Sequence, residues 1–176
     1  MGVRGKYLKA TLCLPLDLDG DKLSMLLAKK TRTIGVGRYN GPGGKLKPGE
    51  TLRECLARES LKELGIVLDP QALKHAAVID FYNRQEDNSV IRVRVWAYIA
   101  YGWGGNFRAS DEMIEPALFP LSALPFNKMM PADPYWILPV LFGERKILGE
   151  FHYGPRQRSL EREPIILDLP EEMEDN

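Results

Sequence analysis

Two glycines and three glutamates set the chemistry open to this sequence. Gly43 and Gly44 precede Lys45 and Glu50, and Arg58, Glu59 and Glu63 follow. On a helix, the i, i+4 spacing of Glu59 and Glu63 puts both carboxylates on one face, about one turn apart. Neighbouring carboxylates repel unless a cation intervenes. Hard divalent ions such as Mg²⁺ take oxygen ligands of this type and keep several waters. The Gly43-Gly44 pair lets main-chain atoms approach a metal or a phosphate with no side chain in the way.

A helix is needed to hold the two carboxylates, and the sequence supplies one. Thr51-Leu52-Arg53-Glu54 is a capping box, in which the Thr51 hydroxyl accepts from a first-turn amide and Glu54 reaches back. The helix is expected to run to Leu64, with Gly65 as its left-handed stop. Leu52, Cys55, Leu56, Ala57, Leu61 and Leu64 spread around its cylinder, which predicts cover on more than one side. Strands are expected over 7–16, 22–28, 73–82, 90–101, 115–120, 147–153 and 164–169. The first two should form a hairpin about Asp19-Gly20, and 73–82 and 90–101 a second. The glycine-rich stretch 31–49 reads as a long structured loop with at most one short strand. A second helix is expected over 135–143, limited by Pro139. The pattern is α/β, a mixed sheet flanked by helices in a single domain over 1–176, with an acidic, frayed tail from 170.

The spacing from Gly44 to Glu50, then Arg58-Glu59, Glu63, Gly65 and Ile66, resembles the Nudix box: G, five residues, E, seven residues, R-E-U, one residue, E-E, one residue, G-U. Two positions depart from it. Ser60 stands where an aliphatic residue is usual, and Lys62 replaces the first acid of the E-E pair. The segments 37–45, 110–113 and 124–136 are similar to the oxidised-purine nucleoside triphosphatases, the 8-oxo-dGTP diphosphatase branch of that superfamily. The resemblance covers roughly residues 7–155. It implies an α/β/α sandwich and Mg²⁺-dependent hydrolysis, with Mn²⁺ as a substitute ion, of a nucleoside triphosphate to the monophosphate and pyrophosphate.

Residue by residue, the resemblance implies that Glu59, Glu63 and the Gly43 carbonyl hold the metal, with Glu112 as a third acid. Glu59 is also the implied base. Arg58 orients a glutamate, and Glu50 supports the loop and the metal shell. Asn40 and Asp133 match residues that read the two edges of a purine. Ala132 takes the place of a second aspartate and Met130 that of a stacking tryptophan. Ile34, Phe81 and Ile91 align with apolar pocket walls. Lys29 and Thr11 align with further pocket positions, and Gly44 and Lys45 lie where the phosphates would pass. The catalytic half of the pattern is kept and the base-reading half is partly rewritten.

The composition fits this reading. The chain has 176 residues, 44% hydrophobic and 27% charged, and Lys+Arg and Asp+Glu balance at 24 each. Zero net charge gives no global attraction to duplex nucleic acid or to an anionic membrane. Two cysteines, Cys13 and Cys55, are too few for a disulfide framework and read as buried free thiols. The first six residues carry no apolar leader, and Lys6 stands where an acylation motif at Gly2 wants Ser or Thr. The expected protein is cytoplasmic and a monomer or weak dimer, with a small nucleotide as its partner. His75 and His152 form no metal spacing. The competing expectations are another diphosphate substrate (a dinucleoside polyphosphate, ADP-ribose or a canonical triphosphate) and a ligand sensor without turnover, the latter motivated by Lys62 and Ser60.

Overall fold

The computed structural model describes residues 7–175; the readings made on the first six residues lie outside it. Eight strands and two α-helices alternate in the order β1 (Leu8–Asp19), β2 (Lys22–Lys30), β3 (Tyr39–Asn40), α1 (Leu52–Leu64), β4 (Lys74–Arg84), β5 (Val90–Tyr101), β6 (Met113–Pro120), α2 (Asp133–Phe142), β7 (Ile147–Tyr153) and β8 (Ile165–Asp168). The sheet order is β3-β2-β1-β5-β4-β7-β8, with β6 also paired to β2. The β1–β5 and β4–β7 pairs are parallel and the remaining pairs antiparallel, so the sheet is mixed.

Apolar alternation along the central strands makes two cores. One face carries Leu14, Leu16, Leu27, Ile79 and Ile99 against Trp136, Ile137 and Val140 of α2. The other carries Cys13, Leu26, Ala28 and Tyr98 against Leu56 and Leu64 of α1. The result is an α/β/α sandwich. Cys13 and Cys55 are both buried and unbridged.

One departure from a regular sheet positions the site. β1 pairs with β2 only near the hairpin, from Leu16 to Asp19. Ahead of that point the two strands part, and the glycine loop runs along β1 like an extra strand. Thr11 N–H donates to the Gly44 carbonyl at 2.9 Å and Gly44 N–H to the Thr11 carbonyl at 3.1 Å. Cys13 N–H donates to the Pro42 carbonyl at 2.8 Å and Leu46 N–H to the Lys9 carbonyl at 3.0 Å. A Cβ on Gly43 would lie 2.1 Å from the Thr11 carbonyl oxygen, so no larger residue fits this approach.

Helix α1 begins and ends as its sequence requires. Glu54 N–H donates to the Thr51 hydroxyl, the Glu54 carboxylate accepts from Thr51 N–H, and Gly65 closes the helix at φ 71°. Such a cap is worth about 1 kcal/mol. The expected cover on several sides is corrected: Leu61 is exposed, and the buried stripe is Cys55, Leu56, Glu59, Ser60, Glu63 and Leu64. The apolar pattern looked diffuse because two carboxylates and a hydroxyl occupy inward positions.

The acidic tail is also corrected. Glu171–Met173 forms a 3₁₀ turn, and Leu169 before it is buried. Asp175 then docks on the core: its carboxylate accepts from Tyr98 Oη at 2.5 Å and from Arg53 Nε at 3.1 Å. Its N–H donates to His75 Nδ1 at 3.1 Å. Arg53 on α1 needs a counter-charge, and the tail provides it.

Candidate active site

Helix α1 lays its two inward glutamates against the glycine loop. Glu63 Oε2 accepts from Gly43 N–H at 3.0 Å. A Cβ on Gly44 would lie 2.8 Å from Glu59 Cδ, so the loop and this carboxylate are in close contact. Both residues are nearly inaccessible, Glu59 at 7% and Glu63 at 5% of full exposure. Burial pushes the Glu63 carboxyl up to about 7, and the nearby Glu59 and Glu112 charges act in the same direction.

Arg58 ties this pair to the loop. Its guanidinium forks onto Glu50, Nε to Oε1 at 2.6 Å and Nη2 to Oε2 at 2.9 Å, and its Nη1 donates to Glu59. The Arg58 contact holds Glu50 down at about 2. Glu50 also accepts from Lys47 N–H at 3.0 Å. Glu50 is thus an anchor for the loop and for Arg58, and Arg58 in turn orients Glu59. Charge-assisted bonds of this bidentate kind fix geometry as well as adding energy.

Glu112, between Ser110 and β6, reaches the same place from the far end of the sequence. Its carboxylate accepts from Lys62 Nζ at 2.7 Å and Arg32 Nη2 at 3.1 Å. Lys62 Nζ also lies 3.7 Å from Glu59 Oε2.

Of the expected pocket residues, Met130, Ile34 and Phe81 share one core, and the others lie apart from it. Met130 is buried in the α2-side core, and Ile34 and Phe81 pack against that core. Phe81 stacks with Phe151 and Tyr153 at 5.7 and 5.8 Å between ring centres. Ile91 is exposed at the start of β5. Asn40 spends its amide oxygen on Gly41 N–H at 2.9 Å. Asp133 turns inward: its two oxygens accept from Trp136 Nε1 at 3.1 Å and Met130 N–H at 3.0 Å. Its carboxyl is pushed up to about 7 by burial. Thr11 lies beneath the loop, its hydroxyl 3.4 Å from Cys55 Sγ, on the α1 side of the sheet. Lys29 is ion-paired to Glu115, and the Lys45 carbonyl accepts from Arg58 at 3.4 Å.

One polar residue of this region was not anticipated. Asn83 is buried beside Phe81, donates to the Ile91 carbonyl at 3.3 Å, and has no partner for its amide oxygen among the described residues. Its signal was available, since alternation along β4 puts an amide on the face of Ile79 and Phe81. Ser60, singled out as a departure from the box, is buried, and its hydroxyl likewise has no partner among the described residues.

The donor set suits a divalent ion. Among the described residues no three His, Cys, Asp or Glu side chains converge as a ready cage. Mg²⁺ does not need one, because it is bound through one or two carboxylates, its own waters and substrate phosphates. Glu59 and Glu63 are two buried oxygen donors on a glycine cradle. The residues therefore fit the group.

Residues 6–139 match the model of the NUDIX domain. The chain belongs to the Nudix family. This Nudix chain is 33% identical over 129 residues to the oxidized purine nucleoside triphosphate hydrolase of Mus musculus, covering 73% of the chain and 78% of the relative. The enzyme of the same name from Danio rerio is 31% identical over the same shares. A crystal structure of a MutT protein from Bacillus halodurans superposes with a TM-score of 0.71, at 22% identity, over 91% of this chain and 97% of that one. The fold is the Nudix sandwich, and the protein is a Nudix hydrolase. No helix among the described residues is long and apolar enough to cross a membrane.

Proposed function

We propose that this Nudix hydrolase cleaves a purine nucleoside triphosphate to the monophosphate and pyrophosphate, with an oxidised purine such as 8-oxo-dGTP as the leading substrate and Mg²⁺ as the metal. The observation that carries the reading is the seating of Glu59 and Glu63 on the Gly43-Gly44 loop. The names of the mouse and zebrafish relatives support the substrate class.

In this reading Glu59, Glu63 and the Gly43 carbonyl hold the metal, and Glu112 closes the acidic wall. When bound, such an ion neutralises the phosphate chain and lowers the pKa of water. Gly44 and Lys45 line the path of the phosphates. Arg58, held by Glu50, keeps the Glu59 carboxylate in one orientation. Glu59 takes the proton of the attacking water as the new P–O bond forms, and the electron pair of the broken P–O bond leaves with pyrophosphate. Met130, Ile34, Phe81 and Ile91 frame the base, and Asn40 presents an amide to its edge. Asp133 acts on base choice through Met130, whose backbone it holds. Thr11 supports the loop, and Lys29 closes the strand edge beside Tyr39.

The test is pyrophosphate release with Mg²⁺ across 8-oxo-dGTP, 2-hydroxy-dATP, dGTP, dATP, ADP-ribose and a diadenosine polyphosphate. An oxidised purine is expected to lead its normal counterpart by roughly tenfold or more in kcat/KM. A lead for ADP-ribose, the diadenosine compound or a normal triphosphate would overturn the substrate. Binding without release would turn the protein into a sensor.

A further inference from the structure

Lys62 stands on the wall of the acidic site as a cation supplied by the chain itself. Its ammonium lies 2.7 Å from Glu112 and 3.7 Å from Glu59, bridging a loop and a helix. Its side chain is 54% exposed, so those two carboxylates are what fix it. Arg32 reinforces the same Glu112 at 3.1 Å. Arg58 sits on Glu50 and Glu59. Three of the four carboxylates, Glu50, Glu59 and Glu112, are thus already paired with the three cations Arg32, Arg58 and Lys62. A site whose acids are largely paired has little surplus of charge to draw several divalent ions together, because each further ion meets the cations as well as the acids.

We propose that the Lys62 ammonium occupies a cation position of this site, so that the protein alone takes one divalent ion, on Glu59 and Glu63, and Glu112 stays an ion-pair partner of Lys62 and Arg32. This rests on the metal-dependent reading above and narrows it: Lys62 is a positioning residue that replaces a second ion.

The experiment counts ions without nucleotide. Mn²⁺ is titrated into the full chain, and the free ion is read by electron paramagnetic resonance. One Mn²⁺ per native chain is expected. Lys62→Glu should add one more, and Glu112→Gln in that background should remove it again, whereas Glu112→Gln alone should leave the count at one. Lys62→Gln, which removes charge without adding a ligand, should tighten the single ion about tenfold. Two or more ions on the native chain, none on any variant, or an unchanged count in Lys62→Glu would each overturn the proposal. Lys62→Gln is expected to keep the native unfolding midpoint, and Lys62→Glu, which sets a like charge beside Glu59 and Glu112, to keep it once Mn²⁺ is added, so a changed count reads the site and not the fold. The count is independent of the pyrophosphate assay. One Mn²⁺ with no hydrolysis of any nucleotide sinks the function and spares this inference; hydrolysis with two ions per native chain does the reverse.

Discussion

The two sides of the candidate site are built in opposite ways. The metal-facing side comes largely from one run of chain, 43–63, in which Gly43, Glu50, Arg58, Glu59 and Glu63 are joined by direct hydrogen bonds. The base-facing side is collected from the 31–37 loop, β4, β5 and the 126–133 segment, and its contacts are mostly apolar. The first is specified by hydrogen bonds and ion pairs over short separations, so a change in one residue moves a definite partner. The second is specified by packing, which tolerates exchange among side chains of similar volume. A chain can therefore keep the reaction while altering the base it accepts, and on the proposed function Met130 and Ala132 are the positions at which such a change would be read first.

The largest expected effect lies on the metal-facing side. Glu59→Gln keeps the size of the side chain and removes its charge and basicity. Hydrolysis of the best nucleotide should fall by about 10³-fold, within the range for a lost acid–base group. The unfolding midpoint should move by only a few degrees, since Gln still accepts from Arg58. Activity near the native level would remove Glu59 from the mechanism and leave Glu63 as the residue to examine.

Asp133→Asn makes the complementary change on the base-facing side. Both Asp133 oxygens accept from N–H groups, and an amide offers only one acceptor. One buried donor is then left facing an NH₂ group, a loss of about 1–3 kcal/mol. The carboxyl also gives a pH signature. Its folded value, raised to about 7, lies above the ordinary aspartate value near 3.8. The native state holds a proton that the unfolded chain has released, so this contribution to stability is full below about pH 4 and is lost as the pH rises through 7. Thermal melts from pH 4.5 to 8 should show stability falling with pH, and Asp133→Asn should flatten that slope. Glu63, raised for the same reason, acts in the same direction, and His75, whose imidazole burial pushes down, acts against it. If Asp133→Asn altered base preference with no loss of stability and no change in slope, its carboxylate would be reading substrate directly, and the contrast between the two sides would fail.

Legibility in the sequence follows the same division. The bounds of α1, β5 and β7 were readable because caps and alternation are local. The box glutamates were readable because their helix and their loop adjoin in sequence. Three features were hidden by distance along the chain: Asp175 on Arg53, Glu112 on Lys62, and Lys29 on Glu115. Side-chain direction was hidden too. The resemblance aims Asp133 at substrate, whereas its bonds to Met130 and Trp136, three residues away on either side, turn it inward. The tail was read as frayed from its charge, and charge is what docks it.

The smallest effect tests whether the metal-facing side is optimised for stability. Ser60 sits between Glu59 and Glu63 on the buried stripe, fully inaccessible, and its hydroxyl has no partner among the described residues. Burying an unpaired hydroxyl costs on the order of 1–3 kcal/mol by mutational measures, part of which returns if the hydroxyl is removed without opening a void. Alanine does so at nearly the same volume and is the better helix former by about 0.5 kcal/mol. Ser60→Ala should therefore raise the unfolding free energy by about 1 kcal/mol in a urea melt and leave hydrolysis unchanged. A loss of stability would mean that the hydroxyl is satisfied in solution. A gain of stability accompanied by slower hydrolysis would mean that the small polar residue keeps α1 free to adjust Glu59 and Glu63 around the ion. The ionic side would then share the adaptability that the packing contrast assigns to the base-facing side alone.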